Sequence, residues 1–84
     1  MSDDNHQEIC ARVRQLIGET FGVPAGEVAA DMAYGDLPQW DSLGHMDVMM
    51  ALETQFGVEI STETIAELVS VEAICSYIER NGHV

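Results

Sequence analysis

The sequence predicts an all-α fold, an irregular four-helix bundle of three longer helices and one short one with a long first loop. Apolar residues recur at three- and four-residue steps in separate stretches of the chain. No stretch shows sustained strand alternation, since Gly57-Val58-Glu59-Ile60 is too short and stands alone. Glycine and proline crowd the segment between Gly22 and Pro38, which breaks any helical period there. At 84 residues the chain has room for one domain, taken as 1–84, and little room for a walled active site.

The first helix is predicted over 5–21, with Ile9, Val13, Leu16, Ile17 and Thr20 on one face. Asn5 with Glu8 resembles a capping box, and Gly22 with Pro24 supplies the stop. The connection that follows is long for a small domain, so it is expected to be pinned across the core through Val28, Met32, Tyr34 and Leu37. A helical turn is expected after Pro24. Trp40 is expected to pack at the end of the connection, with ligand stacking the less favoured role for its ring.

A second helix is predicted from Asp41 or Ser42 to Phe56, capped by Asp41 and stopped by Gly57. Its apolar face is read as Leu43, Met46, Met49, Met50 and Phe56. Met46 and Met50 have a second reading, as adaptable apolar contacts left on the surface. A short third helix is predicted over 62–68. Ser70 caps a fourth, in which Val71, Ile74, Cys75 and Ile78 repeat at helical spacing before Asn81-Gly82.

Charge narrows the function. Fifteen acidic residues face three basic ones, for a net charge of −12, and the bases are Arg12, Arg14 and Arg80 with no lysine. Such a field repels phosphate backbones and anionic headgroups and steers the chain toward basic protein surfaces. No nucleic-acid or membrane role is expected. With 46% apolar residues the acidity does not imply disorder. The acidic Met1-Ser2-Asp3-Asp4-Asn5 lacks an apolar signal segment, so a cytoplasmic location is the expectation. Cys10 and Cys75 are read as buried, reduced thiols, with no partner in the pattern for a disulfide or a metal. His6, His45 and His83 are scattered and lack metal-ligand spacing, so no metal site is expected.

Asp41-Ser42-Leu43 is the segment with chemical potential. A serine at a helix start is commonly structural, because its hydroxyl satisfies an orphan N–H. Asp41 already holds the better capping position, which frees Ser42 to face outward. A phosphodiester there would lie near the positive end of the helix dipole. The spacing permits modification without requiring it.

The run WDSLGHMDVMMALETQFGVEI, from Trp40 to Ile60, resembles the centre of the acyl carrier protein family. The likeness extends through Leu68, Val71 and Tyr77-Ile78, and the first helix agrees in length and position. The resemblance implies that Ser42 receives 4′-phosphopantetheine from coenzyme A, with Asp41 and Leu43 flanking it for the modifying enzyme. It also implies a partner-facing surface of Met46, Asp47, Met50, Ala51 and Glu53, extended by Ile60 and Glu63. The function implied is that of a monomeric carrier, not an enzyme, shuttling a thioester-bound acyl or aminoacyl intermediate between biosynthetic enzymes. Its partners would be a phosphopantetheinyl transferase, an acyl-loading ligase or acyltransferase, and synthase enzymes with basic docking patches.

Thr54 and Thr62 stand where fatty-acid-synthesis carriers commonly have acids. Trp40 and Gly44-His45 resemble freestanding carriers of specialised metabolism, of polyketide or peptide type. The alternatives are a carrier of primary fatty acid biosynthesis and an unmodified, protein-binding adaptor with the same fold. A hydrolase reading would pair Ser42 with His45, three residues on, and add Asp41 or Asp47. No strained elbow or glycine-rich oxyanion loop accompanies that pair.

Overall fold

Ile9, Val13, Leu16 and Ile17 form the inner face of α1, Ser2–Phe21, and all four side chains are buried. The structure is a computed structural model that describes residues 2–81, with side chains from His6 to Arg80. α1 begins ahead of the expected 5–21, so Asn5 lies inside the helix and the Asn5–Glu8 pair does not mark its start. The reason is plain in the sequence. Every residue from 2 to 8 is polar, so the hydrophobic period has nothing with which to mark that end.

The connection from 22 to 41 is pinned as expected, with one exception. A single 3₁₀ turn, Ala25–Glu27, follows Pro24. Val28, Met32 and Trp40 are buried, while Leu37 is half-buried. Tyr34 departs from expectation: its side chain is 44% exposed. The backbone does the pinning there. Tyr34 N–H donates to the Val69 carbonyl at 2.8 Å, and Val71 N–H donates to the Met32 carbonyl at 2.9 Å. These bonds flank an isolated antiparallel bridge between Ala33 and Ser70, and no longer strand occurs among the described residues.

α2 spans Ser42–Phe56 and ends on Gly57, whose φ of 71° places it in the left-handed region. Glycine enters that region without a Cβ penalty, and its N–H closes onto the Glu53 carbonyl at 3.0 Å. The inner face is Gly44, His45, Val48, Met49, Leu52 and Phe56. The expected face is corrected at Leu43 and Met50, which are exposed, and at Met46, which is half-buried. Val48 to Leu52 is apolar all round the helix, so periodicity alone leaves its phase ambiguous.

α3 is the short helix, Thr62–Glu67, opened by a capping box between Ser61 and Thr64. α4 is Val71–Asn81, and Ser70 Oγ accepts the Ala73 N–H at 3.0 Å. Val71, Ile74, Cys75 and Ile78 are all buried, as their spacing predicts. The expected Gly82 stop lies outside the described residues. α1 packs on α4 and α2, and α2 on α3, around one shared apolar cluster. The fold is a helical bundle of three longer helices and one short one.

The few cations are all engaged. Arg12 lies over the Phe56 ring at 4.8 Å, Arg14 Nε donates to the Val28 carbonyl at 2.6 Å, and Arg80 pairs with Glu67 at 3.2 Å. The cysteines are free thiols, but Cys10 is only half-buried, which corrects its expected burial. Sequence spacing offered them no partner, yet α1 and α4 bring the two thiols near enough for Cys10 to act on Cys75. Burial, reinforced by Cys10, pushes the Cys75 thiol far above its ordinary range. Among the described residues no group of three or more His, Cys, Asp or Glu is placed to hold a metal, and no helix is long and apolar enough to cross a membrane.

Candidate functional site

The head of α2 divides the labour between two neighbouring residues. Asp41 is the N-cap, with extended backbone, and its Oδ1 accepts the Gly44 N–H at 2.9 Å. Ser42 is the first helical residue, is exposed, and is released from capping. Its Oγ makes one side-chain hydrogen bond, at 3.1 Å to the Tyr34 hydroxyl. Leu43 beside it is 79% exposed. Gly44 is buried against the end of the connecting loop. A Cβ there would collide with the Gln39 carbonyl oxygen and the Phe21 ring, so the loop backbone meets the helix backbone directly.

His45 is the main correction at this site. It is only 4% exposed, and its ring is not available to Ser42 as the hydrolase reading requires. Trp40 Nε1 approaches His45 Nδ1 at 3.0 Å, and His45 Nε2 lies 2.8 Å from the Ile65 carbonyl. The indole can only donate and the carbonyl can only accept, so the imidazole is neutral with its hydrogen on Nε2. Both nitrogens are therefore spent on structure, joining the loop end to α3. A Ser42–His45 nucleophile–base pair does not form.

An open cleft of about 570 Å³ adjoins Ser42, lined by Tyr34, Ser42, His45, Met46, Ile65 and Val69. Since His45 has no free nitrogen, the lining is chiefly apolar away from the two hydroxyls. Along α2, Leu43, Asp47, Met50 and Glu53 are exposed on the outer side, with Met50 56% exposed. Met46 is half-buried in the cleft wall. Ala51 and Ile60 are half-buried against the core, and Glu63 is exposed on α3. Thr54 is exposed and turns its hydroxyl back to the Met50 carbonyl at 3.0 Å.

Sequence reasoning missed Tyr34, Ile65 and Val69 as site neighbours, and it paired His45 with Ser42 without foreseeing the burial of His45. His45 did carry a signal, since it falls four and seven residues before the buried Met49 and Leu52. Tyr34 carried none. It reaches Ser42 from a loop, where no periodicity constrains the contact.

The residues present suit a phosphopantetheine group. Ser42 offers an exposed hydroxyl that the helix does not need, at the end of a helix whose dipole favours an anion. Residues 11–78 match the PP-binding family, the phosphopantetheine attachment site. The chain is 32% identical over 76 residues to an acyl carrier protein of Thermobifida fusca, covering 90% of this chain and 96% of that one. It is 36% identical over 72 residues to an acyl carrier protein of Solidesulfovibrio magneticus, covering 86% of this chain and 92% of that one. Agreement across nearly the whole of both relatives assigns the chain to the acyl carrier protein family, whose members carry phosphopantetheine.

Proposed function

We propose that Ser42 is the attachment residue and that the whole of 1–84 acts as one cytoplasmic, monomeric carrier unit, not as an enzyme. The observation that carries this reading is the exposed Ser42 hydroxyl, freed by the Asp41 cap and set at the positive end of a 15-residue helix. In the modification, Ser42 Oγ bonds to the pantetheine-bearing phosphorus of coenzyme A. The phosphoanhydride bond breaks, adenosine 3′,5′-bisphosphate leaves, and the hydroxyl proton passes to a base of the transferase. The group so attached supplies a terminal thiol on which an acyl or aminoacyl cargo is held as a thioester.

The chain's own residues then present that cargo. Leu43, Asp47, Met50 and Glu53 offer a mixed acidic and apolar face to a phosphopantetheinyl transferase, a loading ligase or acyltransferase, and synthase enzymes with basic patches. Weak, electrostatically steered docking suits a carrier that visits several enzymes in turn. Tethering replaces free diffusion with a high effective concentration at each. Thr54 and Thr62 thin the acidic face, which favours specialised, polyketide- or peptide-type metabolism over primary fatty acid synthesis.

Incubation with coenzyme A and a broad-specificity transferase tests the assignment by intact mass. Wild type should gain one phosphopantetheine and Ser42→Ala none. A wild type that stays bare would instead support the unmodified adaptor.

A further inference from the structure

Tyr34 is a large aromatic left 44% exposed, yet it is held more firmly than a surface ring requires. Its N–H is bonded to the Val69 carbonyl at 2.8 Å. Its ring meets the His45 ring edge-on, with centroids 5.6 Å apart. That imidazole is itself fixed at both nitrogens. The result is a phenol hydroxyl set 3.1 Å from Ser42 Oγ. Packing alone does not call for the hydroxyl, because a phenylalanine ring would occupy the same place.

We propose that Tyr34 is a positioning residue for the attachment serine, orienting the Ser42 hydroxyl before modification and donating to the phosphodiester afterwards. This rests on Ser42 being the attachment residue. The phenol is the more acidic of the two hydroxyls, so it donates and Ser42 Oγ accepts. The Ser42 proton is thereby turned outward, toward an approaching base. After esterification Oγ is a poor acceptor, and the negative charge sits on the non-bridging oxygens beside it. A hydrogen bond to a charged acceptor is roughly twice as strong as a neutral one, so the phenol has a better partner after modification than before.

The surroundings make this donor matter. The chain has no lysine, and its three arginines are engaged at Phe56, Val28 and Glu67. The phosphate charge is therefore met by backbone N–H groups at the helix head and by the Tyr34 hydroxyl.

The test compares wild type with Tyr34→Phe, which keeps the ring, and Tyr34→Ala, which removes it. Each is loaded from coenzyme A and examined by phosphorus NMR of the modified protein. The phosphodiester resonance should shift and sharpen in Tyr34→Phe, and Tyr34→Ala should give the same resonance as Tyr34→Phe. The kcat of loading should fall about fivefold in Tyr34→Phe with KM unchanged. Superimposable phosphorus resonances in wild type and Tyr34→Phe, or an unchanged kcat of loading, overturn the proposal. A wild type that accepts no group overturns the Ser42 assignment instead, which separates the two failures.

Discussion

α1 and α4 supply the core with Ile9, Val13, Ile17, Val71, Ile74 and Ile78, all buried and all apolar. The head of α2 is assembled differently. An aspartate cap, an indole-to-imidazole bond and an imidazole-to-carbonyl bond hold it beside an open cleft. Apolar burial is strong but non-directional, and it fixes which helices associate more firmly than it fixes any one atom. Hydrogen bonds contribute less net free energy but specify distance and angle. The first region keeps the protein folded, and the second aims a hydroxyl.

The contrast breaks down if the two regions respond alike to substitution. Ile74→Ala should have the largest effect, lowering stability by about 2–5 kcal/mol through lost burial and a residual cavity. Urea unfolding should show a lower midpoint with an unchanged slope. His45→Leu comes next. It retains an apolar side chain of similar bulk but orphans the Trp40 N–H and the Ile65 carbonyl, at a cost of about 1–3 kcal/mol. Trp40 is the only tryptophan, so its fluorescence follows that transition. The sharper readout is amide exchange at Leu68, whose N–H closes α3 onto the Thr64 carbonyl. It should accelerate in His45→Leu beyond the global loss, because α3 is released locally. Met50→Ala should have the smallest effect on stability, within about 0.5 kcal/mol, since the side chain is 56% exposed. The same variant should raise the KM of the transferase, measured by initial rates.

The two regions also differed in legibility. Residues 71, 74, 75 and 78 announce the inner face of α4, and 9, 13, 16 and 17 that of α1, because burial there follows helical period closely. Asp41 as the cap and Ser42 as the freed hydroxyl were readable for a local reason, since capping chemistry involves residues only a few positions apart. α2 was half-legible. Its limits at Ser42 and Phe56 follow from cap and glycine, but its phase was blurred by apolar residues on both sides. Tyr34 and the cleft were not legible. They depend on where a glycine-punctuated loop returns, and that is set by main-chain bonds to Val69 and from Val71 which no side-chain pattern encodes.

Gly44 gives this arrangement an evolutionary asymmetry. Because the loop rests on α2 through main chain at Gln39, many side chains between 22 and 41 can drift without moving the serine two residues before that glycine. A single methyl at position 44 has no such latitude, since it would wedge the loop off the helix. Descendants of this chain are free to vary the connection beyond that contact while the head of α2 stays in register.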